Sequence, residues 1–313
     1  MPTCTLHPLP YLADPAAYFT RIRKAPGAVL LDSARPGAER GRYDLLSAWP
    51  LQNLAPQTRE SGETYLQRLR QSLGQLGHAD LPPGAELPFA GGLIGYLSYD
   101  FGRRLEHLPS LAVDDLGLAD AHLGLYAWAL ISDHQCKQSQ LVFHPSLVNA
   151  ERQRLIALFE APAGQDQAHF SLQAPMRGDI SAEDYRSAFD RVQQYIHAGD
   201  CYQINLTQRF RAPCQGDPWH AYQALRRACP TPYSGFQLLA DGSALLSFSP
   251  ERFIQVSAGQ VETRPIKGTR PRSADAAEDA RNGAELLASQ KDRAENLMIV
   301  DLLRNDLGRT CEV

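Results

Sequence analysis

The sequence lacks several features that would mark a membrane, secreted or nucleic-acid-binding protein. No apolar run approaches the ~20 residues that a membrane-spanning helix requires. The six cysteines are scattered and form no C-x-x-C pair, which disfavours a zinc site and a disulfide scaffold. The formal net charge is −4, so nucleic-acid binding would need a local basic patch. The first residues show neither a basic start nor an apolar signal core. We therefore expect a protein of the reducing cytoplasm, with no membrane or nucleic-acid partner.

Lysine is scarce as well. Of the 31 basic residues, all but Lys24, Lys137, Lys267 and Lys291 are arginines. Arginine cannot replace lysine where a neutral amine must transfer a proton or attack a substrate. A lysine that is retained inside a motif is therefore a candidate for chemistry.

The composition is that of an ordinary globular protein, with 43% hydrophobic and 21% charged residues in 313. This length allows a large core or two domains. Strand-like and helix-like segments interleave, which indicates a mixed α/β or α+β protein. Residues 161–175, rich in Ala, Gln, Gly and Pro, are the best candidate for a linker. They would separate an N-terminal region at 1–160 from a second region at 176–313.

Apolar periodicity and turn residues predict the individual elements. A capping-box-like start at Ser181 and a stop at Gly199 predict one helix. Further helices are predicted at 64–76, about 218–227 and 279–307. Strands are predicted at 28–33, 89–99, 123–132, 141–143, 201–210, 245–256 and 261–266.

The last two strands predict a hairpin whose turn is centred between residues 258 and 259. Antiparallel pairing then places Glu251 opposite Ile266, one residue from Lys267. A cross-strand salt bridge at the end of a sheet is one interpretation, worth under about 1 kcal/mol if exposed. The other is a carboxylic acid and an amine that face one substrate.

Glu295 is a second acidic candidate. It lies one helical turn before an apolar stripe, at the edge of the face expected to be buried. Hard cations such as Mg²⁺ select carboxylate oxygens and often take only one or two from the protein. A helix salt bridge with Lys291 or Arg293, or simple solvation, are the alternatives.

Four motifs, in this order, resemble those of the chorismate-utilising enzymes that include anthranilate synthase component I. They lie at Gly199–Phe210, Ser249–Phe253, Pro265–Arg270 and Glu295–Arg309. The resemblance is strong from 181 to 313 and weaker at 30–33 and 91–96. It implies an α+β, anthranilate-synthase-like fold in which large antiparallel sheets form a sandwich with helices packed outside. By resemblance, 1–160 is the N-terminal region and 176–313 the chorismate-binding catalytic region.

Lys267 discriminates within this family. Anthranilate synthases read P-I-A-G-T where this sequence reads P-I-K-G-T, the pattern of aminodeoxychorismate synthases in the para-aminobenzoate branch of folate synthesis. The resemblance implies that a neutral Lys267 is the nucleophile in covalent catalysis and that Glu251 is the general acid. It further implies that Glu295 binds Mg²⁺, which holds the ring carboxylate of chorismate, and that Gly268 and Thr269 contact that carboxylate.

The family also has a tryptophan pocket away from the active site. Residue 32 is Asp where feedback-regulated relatives usually have Glu, which argues against regulation by tryptophan. A strand end beside a proline-bounded turn is the alternative interpretation of the pocket positions. The matching residues are Ser33, Tyr43, Pro232, Tyr233 and Ser234.

The reaction implied by the resemblance needs ammonia. The sequence shows no glutaminase signature, so we expect a separate glutamine amidotransferase subunit as partner. Anthranilate or isochorismate synthesis, and an inactive tryptophan-binding fragment, are the alternative functions. Family members continue beyond the equivalent of Val313 with a second Mg²⁺-binding Glu and further substrate contacts. We therefore expect the C-terminal part of the fold to be missing and this chain alone to be weakly active or inactive.

Overall fold

The computed structural model describes residues 2–37, 41–162 and 168–312. The first eight strands are β1 (Thr5–Leu9), β2 (Val29–Asp32), β3 (Tyr43–Ser47), β4 (Gln52–Leu54), β5 (Gly92–Leu97), β6 (Ala121–Tyr126), β7 (Trp128–Asp133) and β8 (Gln138–Phe143). They are followed by β9 (Phe170–Leu172), β10 (Arg177–Gly178), β11 (Phe210–Arg211), β12 (Cys214–Gly216), β13 (Tyr233–Leu238), β14 (Ala244–Ser249), β15 (Gln255–Ser257) and β16 (Gln260–Glu262).

The helices are interspersed among these strands, and a short 3-10 helix follows β5 at Tyr99–Arg104. In chain order the α-helices are α1 (Ala16–Phe19), α2 (Gly62–Leu76), α3 (Asn149–Glu160), α4 (Ala182–Ala198), α5 (Pro218–Ala228), α6 (Ala276–Ala288) and α7 (Gln290–Gly308).

A seven-stranded antiparallel sheet, in the order β1-β8-β7-β3-β2-β13-β14, carries the main core. One face packs on a three-stranded antiparallel sheet, β4-β6-β5, where Val29 and Ile131 share a core with Ile94 and Tyr126. Strand β7 is buried along its whole length, because its alternate side chains are covered on both faces of the sheet. Each fully buried large apolar side chain contributes about 1.5–3 kcal/mol of transfer free energy.

Helices cover the outer faces of this sandwich. The Trp128 ring lies 5.8 Å from Phe159 of α3, on the side of the large sheet opposite the main core. On the small sheet, Tyr65 and Leu69 of α2 pack in a second core with Leu54 and other apolar residues. The structure therefore confirms the expected sandwich of antiparallel sheets with helices outside.

The chain divides into two compact units. One is formed by Met1–Ala163 together with Arg226–Val313, and the other by Gly164–Leu225. Residues 163–167 of the proposed linker lie outside the described residues, and Phe170–Leu172 within it form β9. The boundaries of the two sequence regions stay a prediction.

Helix α4, in the second unit, begins and ends where the sequence predicts. The Ser181 side chain accepts a hydrogen bond from the backbone N–H of Asp184, and Gly199 ends the helix with a φ of 81°. The predicted strand at 201–210 is wrong except at its end, because only Phe210–Arg211 finds a pairing partner, in β10. A strand pattern without a neighbouring edge does not form a stable strand.

Two of the predicted elements are each interrupted near a single residue, a proline in one and a serine in the other. The strand at 245–256 is interrupted after β14 at Pro250, which has no N–H to donate to a sheet. The helix at 279–307 is two helices. Ser289 ends α6 and also caps α7, where its side chain accepts from the backbone N–H of Asp292 at 3.3 Å.

Candidate active site

The hairpin β15–β16 has the register that the sequence predicts. Gln255 pairs with Glu262 and Ser257 with Gln260. The two turn residues, Ala258 and Gly259, have φ values of 49° and 79°, as a two-residue type I′ turn requires. The confirmed register extends towards the open end of the hairpin, where the candidate acid and lysine lie.

The Glu251 side chain accepts a hydrogen bond from the backbone of the segment that carries the lysine. The N–H of Ile266 donates to Glu251 Oε1 at 2.9 Å. Ser249 fixes the other side of the acid, because its hydroxyl donates to the Glu251 carbonyl at 2.8 Å and accepts from the Glu251 N–H at 3.2 Å. The acid is therefore held one residue away from Lys267, at the exposed end of the hairpin.

Lys267 and Glu295 face each other, a pairing that the sequence analysis did not predict. Lys267 Nζ lies 3.9 Å from Glu295 Oε1, and the two side chains are 28% and 36% exposed. This is a loose ion pair and too long for a hydrogen bond. The structure thus places Glu295 opposite the Lys267 amine, and Glu251 against the backbone of the residue that precedes Lys267.

Gly268 allows the loop after β16 to pack closely against the junction of α6 and α7. Its φ is +80°, in the region that residues with a Cβ seldom adopt. A Cβ at this position would lie 2.7 Å from Leu286 Cδ1 and 3.0 Å from Asp292 Cβ. Both the backbone conformation and the available space therefore require glycine here, and Thr269 follows directly.

Arg270 is the residue of this loop that the sequence analysis quoted in a motif without giving it a role. Its Nε donates to Glu285 Oε1 at 2.8 Å and its Nη2 to Asp292 Oδ2 at 3.1 Å. The pKa of Asp292 lies below its ordinary value, first through a hydrogen bond with the Ser289 side chain and then through Arg270, while burial opposes both. Arg270 therefore connects the loop to α6 and α7.

The donor set fits a magnesium ion that takes most of its ligands from elsewhere. In the described part of the chain no three His, Cys, Asp or Glu side chains are grouped to hold a metal. The half-exposed carboxylate of Glu295 supplies one oxygen ligand site. Mg²⁺ commonly binds through one or two carboxylates and fills its remaining positions with water and substrate oxygens.

A groove of about 1040 Å³ lies beside the hairpin turn and the last turns of α7. It is lined by residues 259–262 of the hairpin and by several residues between Asp301 and Glu312. None of the three candidate site side chains lines it. This groove is therefore separate from the acid–lysine pair.

The positions expected to form a tryptophan pocket lie at one end of the large sheet. Ser234 of β13 pairs with Asp32 of β2, and the β2–β3 register brings Tyr43 to the level of Ser33. Ser33 is 2% exposed, and within the described residues its hydroxyl has no hydrogen-bond partner. Tyr233 next to Ser234 is partly exposed. Pro232 precedes it in the turn before β13.

The Asp32 carboxylate accepts hydrogen bonds from an arginine side chain. Arg226 contacts it through Nε and, at 3.1 Å, through Nη2, and both side chains are buried. Burial raises the pKa of Asp32 above its ordinary value although the bonds from Arg226 act the other way. The carboxylate at this position is therefore tied into the fold beside the Ser33 hydroxyl.

The comparisons with known proteins agree with the geometry. The chain matches the chorismate binding enzyme family over residues 27–313. It is 44% identical to aminodeoxychorismate synthase component 1 of Klebsiella aerogenes, over 97% of this chain and 68% of that protein. The values for the Escherichia coli K12 protein of the same name are 42%, 93% and 65%. Anthranilate synthase component 1 of Thermus thermophilus is 34% identical, over 94% of this chain and 65% of that protein.

Solved structures give the same fold. Anthranilate synthase component I from Streptococcus pneumoniae superposes with a TM-score of 0.70 at 27% identity, over 87% of this chain and 62% of that one. The Escherichia coli isochorismate synthase MenF, at 14% identity, shares the fold with a TM-score of 0.63, over 98% of this chain and 64% of that one.

Two further findings bear on the sequence analysis. No helix in the described ranges combines the length and the apolarity needed to cross a membrane. The chain spans about two thirds of the length of the curated relatives it matches. The family match, the identities and the shared fold confirm the resemblance seen in the motifs, and the chain belongs to the chorismate binding enzyme family.

Proposed function

We propose that this chain is component 1 of an aminodeoxychorismate synthase, which converts chorismate and ammonia to 4-amino-4-deoxychorismate for para-aminobenzoate and folate synthesis. The observation that carries the proposal is Lys267, a lysine in the P-I-K-G-T loop that faces the Glu295 carboxylate and directly follows the residue whose N–H donates to Glu251. The relatives named aminodeoxychorismate synthase component 1 are 42–44% identical. Those named anthranilate synthase component 1 reach 35%.

The reaction replaces the C4 hydroxyl of chorismate by an amine, which is a poor direct displacement. The neutral amine of Lys267 forms a bond to C2, the two ring double bonds each shift by one position, and the C4–O bond breaks. Glu251 donates a proton so that the hydroxyl leaves as water, and the new ammonium on C2 gives up a proton. Ammonia then bonds to C4 and loses one proton to Glu251, the double bonds shift back, and the C2–N bond breaks as the lysine nitrogen regains a proton, so that Lys267 leaves as a neutral amine. Two easier steps replace one hard step.

The hydrogen bond from the Ile266 backbone supports a role of Glu251 in proton transfer. The Ile266 N–H holds Oε1 at 2.9 Å, which sets the carboxyl group beside the residue that carries the nucleophile. In the first step it acts as a general acid, and in the second it can accept a proton from ammonia as that nitrogen bonds to carbon.

In this proposal the loop backbone binds the substrate carboxylate directly, and Glu295 acts on it through a metal ion. Bound Mg²⁺ supplies a positive charge for the ring carboxylate of chorismate. Glu295 would hold that ion through its half-exposed carboxylate, while Gly268 and Thr269 would contact the substrate through backbone and hydroxyl groups. Glu295 must then turn from Lys267, because the amine attacks only after it has lost its proton.

Substitution of Lys267 tests the proposal. In the complete enzyme, supplied with chorismate, Mg²⁺ and an ammonium salt, Lys267→Ala should lower product formation by roughly 10³-fold or more. Lys24→Ala is the matched control, since it makes the same change at an exposed lysine far from the loop in sequence. Chromatography identifies the product. Unchanged turnover in Lys267→Ala, or anthranilate or isochorismate as the product, would falsify the proposal.

We also propose that tryptophan occupies the pocket at Ser33, Tyr43 and residues 232–234, without feedback regulation. Among the described residues the buried Ser33 hydroxyl has no hydrogen-bond partner, which supports a bond to an amino acid, whereas Asp32 is bonded to Arg226. Titration calorimetry should detect tryptophan binding that weakens in Ser33→Ala. Turnover should be unaffected by added tryptophan. Absence of binding heat in the unaltered enzyme would remove the ligand from the proposal.

A further inference from the structure

Arg270 makes three hydrogen bonds, and two of them join the lysine loop to α6 and α7. Its guanidinium donates to Glu285 Oε1 of α6 at 2.8 Å and to Asp292 Oδ2 of α7 at 3.1 Å. Nη1 also donates to the carbonyl oxygen of Thr269 at 3.0 Å. The side chain is three-quarters buried, so this is a packed contact between a loop and two helices.

The loop and α7 form two basic–acidic pairs in antiparallel order. Lys267 faces Glu295, and Arg270 faces Asp292. Lys267 and Arg270 are three residues apart in the loop, and Asp292 and Glu295 are three residues apart on α7. The two carboxylates therefore lie on one face of the helix. The pair at Arg270 is short, whereas the pair at Lys267 is long at 3.9 Å.

The chemistry of the two basic residues suits different tasks. Arginine stays charged and presents donors in a rigid fork that can join two carboxylates at once. Lysine can lose its proton and move away from its carboxylate partner. Arg270, which cannot change its charge, therefore anchors the loop. Lys267, which must lose its charge to react, lies three residues away.

Gly268 lies between the two pairs and limits the positions open to the loop. Its missing Cβ lets the backbone approach Asp292, whose Cβ and Cγ would both be 3.0 Å from a Cβ at 268. Because Gly268 packs on Asp292, a shift of Asp292 would also shift Gly268, which is next to Lys267. The hydrogen bond from Arg270 fixes Asp292 from the loop side.

We propose that Arg270 is a positioning residue for this reaction, which holds the Pro265–Arg270 loop on α6 and α7 and thereby fixes the Lys267 amine against chorismate. The proposal rests on the proposed function, since it assigns Lys267 the attack on C2. A misplacement of a reacting group by about 1 Å can cost roughly 10²-fold in rate. Arg270 is therefore expected to affect the chemical step more than substrate binding.

Steady-state kinetics of Arg270 variants test the proposal. In the complete enzyme with chorismate, Mg²⁺ and an ammonium salt, Arg270→Gln should lower kcat by about 10- to 100-fold and change KM much less. Arg270→Lys keeps a charge that can reach one carboxylate and should recover part of kcat. Arg272→Gln is the matched control, because Arg272 contacts Asp279 at 2.8 and 2.9 Å in the same segment. Its kcat should stay near that of the unaltered enzyme.

Asp292→Asn provides a variant that keeps Arg270 and its contact with Glu285. Asp292→Asn should also lower kcat, by a smaller factor than Arg270→Gln. It provides the test if Arg270→Gln fails to fold. Equal kcat values in Arg270→Gln and Arg272→Gln overturn the proposal. A rise in KM with kcat unchanged, or no recovery in Arg270→Lys, also overturns it.

Hydrogen exchange gives a readout that does not depend on the reaction. The amide of Ile266, which is bonded to Glu251, should exchange faster in Arg270→Gln than in Arg272→Gln. If the unaltered enzyme makes a different product, the proposed function fails while the exchange rates still decide whether Arg270 holds the loop. If the product is aminodeoxychorismate and the two exchange rates are equal, the proposed function stands and the positioning role fails.

Discussion

At the scale of single residues, position 267 carries the chemical argument. Lysine there is about three-quarters buried, with a carboxylate 3.9 Å away and a second one held by the preceding backbone N–H. An alanine would leave the loop and both carboxylates but remove the amine. The proposed reaction therefore differs from that of a P-I-A-G-T enzyme by one side chain, because only a lysine can form and break the bond to C2.

Glu60 shows how one residue can secure the N-terminal region. Its carboxylate accepts from Arg68 at 2.9 and 2.8 Å and from the backbone N–H of Gln57 at 2.8 Å. Its own carbonyl accepts from Arg104 at 2.7 Å. These contacts join α2 to the loop before it and to the 3-10 helix. The hydrogen bond from Arg68 is the main reason why the pKa of Glu60 falls to about 2.

This shift predicts a pH-dependent contribution to stability. Because the pKa of Glu60 is lowered on folding, its contribution is fully present above its ordinary pKa of 4.5. It is lost as the pH falls towards about 2. Glu60→Gln should therefore lower the free energy of unfolding by about 1–3 kcal/mol at neutral pH. Urea unfolding across the acidic range should show that this difference shrinks as the pH is lowered.

Glu63→Gln is the control for this prediction. It makes the same charge change in the first turn of α2 at an exposed position, where a substitution usually changes stability by less than about 0.5 kcal/mol. A Glu60→Gln difference that stays constant with pH, or that matches Glu63→Gln, would contradict the assignment of the lowered pKa to the bond with Arg68.

At the scale of elements, local chemistry determined what the sequence could predict. The register of β15–β16 was predictable because two residues with positive φ fix the turn, and pairing then follows by counting. The cap at Ser181 and the stop at Gly199 were predictable because both act on their own helix. These features depend on neighbours in the chain and need no knowledge of the tertiary fold.

The break at Ser289 was missed for a physical reason. Apolar periodicity continues across 279–307, and serine is tolerated inside a helix as well as at its end. The junction at Ser289 also packs against the loop at Gly268, close to Leu286 and Asp292, and that contact is not visible in the local sequence pattern. The role of Arg270 was missed likewise, since Glu285 and Asp292 become its neighbours only after α6 and α7 have folded back on the loop.

At the scale of the whole molecule, the described sheets have an open side. Strand β14 stands at the end of the seven-stranded order and is only half-buried. It leads through Pro250 directly into the acid Glu251. An unpaired edge strand invites pairing, and the relatives are longer than this chain by about half its length. Strand β14 is therefore an edge of the large sheet that lies next to the candidate site in the chain.

The source of ammonia is the last property that belongs to the whole molecule. The proposed chemistry uses ammonia itself, and the sequence shows no glutaminase signature. Cys4 lies in the main core, and burial raises the pKa of its thiol, which is the opposite of what a nucleophilic cysteine needs. The Cys4 thiol is therefore unsuited to that role. Because the relatives are named component 1, which implies a second component, we expect a separate glutamine amidotransferase subunit to make the ammonia.

This expectation predicts two kinds of activity in the complete enzyme. With an ammonium salt, aminodeoxychorismate should form without any partner, and the rate should rise from neutral to mildly alkaline pH because more of the ammonium is then neutral ammonia. With glutamine, product should form only after the amidotransferase subunit is added. Chromatography of product and glutamate follows both reactions, with Lys267→Ala as the control that should lose product from either nitrogen source. Glutamate release from glutamine by this polypeptide alone would contradict a separate ammonia source, because it would require a glutaminase site within the chain itself.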